Sequence, residues 1–211
     1  MRQQYRDLIA LHGVQARDID TYDHIEIGPA NMYLLAADGR GPKLTLTEAS
    51  FTGAVLYMAG HRDSAALAGH HAMLHETMHT CGPLPDTASE GAVAVEELVT
   101  ELATREILRL TLSIAYDDVP LLAGPTRESG YYQDLIEAAA EEFGGDRGHA
   151  ITVLAASALQ IKREMRGTRG SYQVIGTLLA ISGCDDVAGC PDRIVSAFMG
   201  HWTQTRQSKS C

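Results

Sequence analysis

His75-Glu76-Thr77-Met78-His79 reads as H-E-x-x-H, and the architecture of the chain depends on whether these residues lie on a helix. On a helix, two histidines four residues apart stand one turn from each other on the same face, within reach of a single metal ion. Glu76 is then placed to take a proton from a water that the ion activates. The flanking residues predict such a helix. Asp63 or Ser64 can cap its start, Ala66, Leu67, Met73, Leu74 and Met78 supply a buried side, and Gly82-Pro83 closes it after Thr80.

A catalytic zinc usually takes three protein ligands and leaves one position open, so two histidines need a partner from another element. Thr87-Ala88-Ser89-Glu90 fits a capping box, and the apolar positions from Val93 to Leu110 carry a second helix to about Leu112. Seventeen residues separate His79 from Glu97, enough for a turn and about two helical turns back toward the histidines. Glu97 and Glu101 share one face of that helix, whereas Glu96 is turned about 100° away. Glu97 as ligand, with Glu101 accepting the other N–H of a ligand histidine, meets both needs of a metal site. The swapped assignment is the main alternative, and Glu96 comes third. Without the upstream motif, these glutamates would read as the solvated face of an amphipathic helix.

His71 stands one turn before His75, but the face drifts by about 40° every four residues, so three successive histidines do not converge on one ion. His70 and His71 are therefore expected at the helix surface or at the rim of a cleft. His61, His149 and His201 have no supporting spacing. For stabilising an oxyanion, Tyr131, Tyr132 and His149 are candidates among which the sequence does not choose.

Around this centre the chain reads as mostly helical. A short helix is expected over Tyr5–Leu11, then a polar stretch from Gln15 to His24. Met32-Tyr33-Leu34-Leu35 and the alternating Lys43-Leu44-Thr45-Leu46-Thr47 predict two strands joined at Asp38-Gly39-Arg40-Gly41-Pro42. Glu48–Met58 is a short helix. Later helices are expected over about 128–143, 146–165, 171–181 and 191–204.

The composition, 45% hydrophobic and 21% charged, is that of an ordinary globular protein. No apolar run is long enough to span a bilayer and no secretory signal is visible, so a cytoplasmic protein is expected. Cys81, Cys184, Cys190 and Cys211 lack paired C-x-x-C spacing and read as reduced thiols, with a metal or a bridge at Cys184 and Cys190 the lesser alternative. The net charge of −10 disfavours nucleic-acid binding by the surface as a whole. Lys162, Arg163, Arg166 and Arg169 read as a solvated helix end rather than a phosphate-binding patch.

Four stretches, in order, resemble one known family, the zincin-like metallopeptidase domain of ArdC-type antirestriction proteins of plasmids, phages and other mobile elements. Leu44-Thr45-Leu46-Thr47-Glu48-Ala49-Ser50-Phe51 is similar to the family's I-x-M-P-x-x-x-F passage. Leu74-His75-Glu76-Thr77-Met78-His79-Thr80-Cys81-Gly82 resembles L-H-E-x-x-H-S-T-G. Glu96-Glu97-Leu98-Val99-Thr100-Glu101-Leu102 is close to E-E-L-V-A-E, and Ala155-Ala156-Ser157-Ala158-Leu159-Gln160 resembles A-A-S-x-A-Q. The likeness covers roughly residues 40 to 165. It implies a zinc held by His75, His79 and Glu97, with Glu76 as general base. The chain departs from the pattern at Gly69-His70, where the family carries aromatic residues, and at Pro83-Leu84-Pro85-Asp86, which replaces a basic loop. The family's N-terminal single-stranded-DNA-binding domain has no counterpart in the first 40 residues.

The expectation is thus an α+β, mostly helical zincin-like domain with a small hairpin or sheet beside the motif helix. Residues 1–38 form an N-terminal arm, 39–170 the metallopeptidase-like domain, and 171–211 a C-terminal helical extension of it. The expected function is a zinc-dependent metallopeptidase of the gluzincin type acting on a peptide or protein, with an antirestriction or mobile-element role. Its alternatives are a zinc-binding antirestriction or interaction module that hydrolyses nothing, and an acidic mimic of DNA. Substrate and oligomeric state are not read from the sequence.

Overall fold

A computed structural model describes residues 1–15, 25–34, 43–81, 90–114, 140 and 145–164. The expected helices over about 171–181 and 191–204 lie outside the described residues, as does that over about 128–143 apart from Ala140, and so do Tyr131, Tyr132, His201, Cys184, Cys190, Cys211, Arg166 and Arg169. Within them the chain is mostly helical: α1 (Arg2–Leu11), α2 (Glu48–Met58), α3 (Ser64–His79), α4 (Glu90–Leu112) and α5 (Arg147–Glu164), with strands β1 (Ile25–Ile27), β2 (Met32–Leu34) and β3 (Lys43–Leu46). A mostly helical α+β architecture is what the sequence predicts.

The sheet carries one strand more than the predicted hairpin. β2 and β3 pair antiparallel, Tyr33 opposite Leu44, as in the hairpin that the sequence predicts. β1 adds in parallel on the other side of β3, Glu26 opposite Thr45, giving the order β1-β3-β2. Three residues are too few to show a period, which is why Ile25–Ile27 escapes a reading by pattern. The middle strand is the anchor: Leu44 and Leu46 are both fully buried.

Thr47 ends β3 and starts α2, its side chain accepting from the Ser50 amide at 3.1 Å. α3 is capped in the same way by Asp63, whose carboxylate accepts from the Ala66 amide at 2.9 Å. Each cap replaces a water that the first turn would otherwise need. From Ala66 to His79 almost every side chain of α3 is buried, so it is the central helix, covered by α2 on one side and α4 on another. α2 approaches it with almost no gap. A methyl group on Gly69 would collide with the backbone of Gly53 and Ala54, and one on Gly53 with the Ala65 carbonyl. Glycine stands before His70 because the α2 backbone occupies the space that a side chain would need.

Met73, Leu74 and Met78 of α3, Val99, Leu102, Ala103 and Ile107 of α4, and Leu154, Ala158, Leu159 and Ile161 of α5 share one core with Tyr5 and Ile9 of α1. Burying each large apolar side chain stabilises the fold by about 1.5–3 kcal/mol. One part of the sequence reading is corrected at the end of α5. Lys162 is not on a solvated helix end but 1% exposed, its ammonium 3.4 Å from the Met78 carbonyl in the last turn of α3. A cation there complements the negative end of the α3 dipole. Arg163 is exposed, and its Nε donates to the His12 carbonyl at 2.6 Å.

Candidate metal centre

α3 and α4 together carry every donor of the site. The last two turns of α3 place His75 and His79 on one face, with rings 76° apart and centroids separated by 4.8 Å. Rings so inclined aim at a common point rather than stacking. The two Nε2 atoms are 3.0 Å from each other. Glu97 reaches the same point from α4, its Oε2 lying 3.3 Å from His75 Nε2 and 3.5 Å from His79 Nε2. Among the described residues these three form the group of side chains that can hold a metal ion.

The triangle has the dimensions of a metal site. Zinc bonds of about 2.0–2.2 Å in a tetrahedron put neighbouring donor atoms about 3.3–3.6 Å apart. A circle through the three donor atoms has a radius of about 1.9 Å, so a point about 2.05 Å from each lies about 0.8 Å off their plane. A regular tetrahedron would put it about 0.7 Å off. Two imidazole nitrogens and one carboxylate oxygen are also a donor set that zinc accepts.

Electrostatics lead to the same place. Burial alone would push His75 toward its neutral form, but the carboxylates of Glu101 and Glu97 outweigh it and raise its pKa from 6.5 to about 10. Glu97 is pushed up by burial and pulled further down by His79 and His75, so its carboxyl is held below the usual range. Three converging lone pairs attract positive charge, which in metal-free protein is a proton and otherwise can be a metal ion.

Behind His75 lies a second layer of contacts. Glu101 is fully buried, and its Oε2 sits 3.1 Å from His75 Nδ1. An N–H at Nδ1 donating to this carboxylate leaves Nε2 as a lone pair facing the site. Glu101 also takes Arg105, whose Nε donates to Oε1 at 2.6 Å, and His71, whose Nε2 lies 3.0 Å from Oε2 and 3.2 Å from Oε1. Burial disfavours the charge on Glu101, and His71 and Arg105 more than restore it, holding the carboxyl well below its ordinary pKa.

Two expectations are corrected here. His71 is 0% and His70 2% exposed, so neither is at the helix surface or at a cleft rim. The drift along the helix does keep His71 off the ligand triangle, but it turns the ring onto Glu101 instead. His70 points away, stacked 3.6 Å from the Tyr57 ring with Nδ1 2.8 Å from the Tyr5 hydroxyl. Arg62 lies over the same Tyr57 ring, 3.9 Å from its centroid. Burial, then the nearby His71 and Arg62, lowers the His70 pKa to about 3.

Glu76 is buried on α3, directly after His75. His149 is exposed near the start of α5. The Glu96 side chain lies outside the described residues. Arg105 is the residue that sequence reasoning did not single out, although its i,i+4 spacing from Glu101 was visible. Compared with known proteins, the chain matches no family model, no curated protein and no solved structure.

Proposed function

We propose that the protein is a zinc-dependent hydrolase of peptide bonds, with His75, His79 and Glu97 as the metal ligands and Glu76 as the general base. The observation that carries this reading is the triangle of 3.0, 3.3 and 3.5 Å between two histidine nitrogens and a carboxylate oxygen. Among the described residues three protein donors come together, the number that a catalytic zinc takes while leaving a position open. The side chains of His75 and His79 are nearly covered while that of Glu97 is 31% exposed, so the open side of the site faces solvent at Glu97.

A zinc ion bound there supplies Lewis acidity to a carbonyl oxygen and lowers the pKa of water. The chain supplies the rest. Glu101 keeps His75 in the tautomer whose Nε2 is free to bind, and the ionised Glu97 contributes one negative charge. Glu76 takes the proton of the attacking water and hands it to the departing amine. The likeness of four stretches to ArdC-type antirestriction proteins supports the same class and, through it, a role in the defence of mobile elements against restriction.

The test pairs metal content with hydrolysis of a peptide library. Glu76→Gln should keep one zinc per chain while hydrolysis falls by about 10²–10⁴-fold, the usual contribution of a general base. Glu97→Ala should lose the metal. Unchanged hydrolysis in the Glu76 variant would refute the mechanism, and full metal content in Glu97→Ala would refute the ligand set.

A further inference from the structure

His71 is a histidine without an evident reason to be one. It is 0% exposed, in the middle of the central helix, where an apolar side chain of similar size would pack. Its Nδ1 is buried with no hydrogen-bond partner. A buried orphan nitrogen disfavours the folded state, so the residue is explained by its other nitrogen or not at all. That other nitrogen, Nε2, lies 3.0 Å from Glu101 Oε2, and the same oxygen lies 3.1 Å from His75 Nδ1.

We propose that His71 is a positioning residue of the metal centre, fixing the Glu101 carboxylate and through it the ring of His75, without touching the ion. This rests on the reading of His75, His79 and Glu97 as ligands. A carboxylate that accepts from one imidazole alone can rotate and slide along the ring edge, which lets the His75 Nε2 lone pair swing off the ion. Glu101 is held at both oxygens: Arg105 donates to Oε1 at 2.6 Å, and His71 closes on the side of Oε2 that His75 leaves open. Arg105 donates to the same carboxylate, so Glu101 keeps its guanidinium partner when His71 is replaced. The three histidines at 71, 75 and 79 therefore divide the work along one helix face: two aim at the ion, and the first aims at the group that orients the second.

The experiment measures Zn²⁺ affinity by competition with a chromophoric chelator, and the ligand-field spectrum with Co²⁺, alongside the thermal stability of each metal-free variant. His71→Met fills the space but cannot donate, and it should bind Zn²⁺ about 10-fold or more weakly, with an altered Co²⁺ spectrum. His71→Gln restores an N–H at a similar reach and should return affinity to within about threefold of wild type. His71→Asn, polar but too short to reach Glu101, serves as a second loss variant should the methionine not fold. Wild-type affinity in His71→Met or His71→Asn would overturn the proposal. So would a His71→Gln protein as weak as the methionine variant, since packing rather than donation would then be at work. A wild-type chain that binds neither ion would sink the metal reading itself, and this inference with it.

Discussion

His70 and His71 are neighbours in sequence with opposite tasks. His71 faces the charged layer behind the metal site, whereas His70 is held neutral between Tyr5 and Tyr57. The consequence for acid stability can be worked out. The folded-state pKa of His70 is about 3, against 6.5 for the exposed residue. Below pH 6.5 the unfolded chain therefore takes up a proton that the folded chain refuses, so stability is full above 6.5 and drains as pH falls toward 3. One such group contributes a slope of up to about 1.4 kcal/mol per pH unit. His12, also lowered by burial, acts in the same direction, so the readout is a difference between proteins. Chemical denaturation of metal-free protein between pH 6 and 5 should show a shallower loss for His70→Phe than for wild type. Equal slopes would mean that His70 is protonated in the fold.

At the scale of elements, the contact between α2 and α3 decides how the site is framed. Gly69→Ala would ordinarily favour a helix by about 1 kcal/mol, but here the added methyl meets the Gly53–Ala54 backbone. Overpacking of this kind costs about 1–3 kcal/mol, so the variant should melt lower despite its better helix propensity. Thermal melting of Gly69→Ala against an exposed glycine control, Gly148→Ala, checks it. Much at this scale was legible in advance. The cap at Asp63, the strand that starts at Lys43 and the span of α3 follow from local chemistry, and the pairing of Glu97 with the histidines follows from helical spacing. What was not legible depends on contacts between distant residues. Helical arithmetic says where His71 cannot go, but only the placement of α4 shows that Glu101 awaits it. Lys162 looked like any basic helix end, because nothing local reveals that α5 lays it against the α3 terminus. β1 was missed because a parallel partner leaves no turn signal nearby.

For the molecule as a whole, the site joins two helices that sit at the centre of the core, so an ion bound there should stabilise everything packed around them. A ligand present at about 1,000 times its dissociation constant adds about 4 kcal/mol. For a chain of this size that corresponds to a rise in melting temperature of about 8–16 °C. Zinc added to metal-free protein should produce such a rise, a chelator should reverse it, and Glu76→Gln should show it undiminished. A shift below about 2 °C would show that the three donors hold no ion in the folded state. Among the described residues no helix is long and apolar enough to cross a membrane. The interior carries charge nonetheless: Glu101, Arg105, Glu106 and Lys162 are all buried. Glu101 of α4 meets His71 and His75 of α3, and Lys162 of α5 meets the Met78 carbonyl, so polar contacts as well as apolar area join these helices.

The spacing of these contacts along the chain also sets an order of assembly. His75 and Glu97 are 22 residues apart, so the ligand triangle closes a short loop and can form early. α1 is made before the groups that hold it: Tyr5 meets His70, 65 residues on, and the His12 carbonyl waits for Arg163, 151 residues on. The three candidate ligands can thus meet on a nascent chain while α1 is still without its partners. Ile9, fully buried on that helix in the finished fold, would be among the last large apolar groups to be covered, and until then it is open to a chaperone.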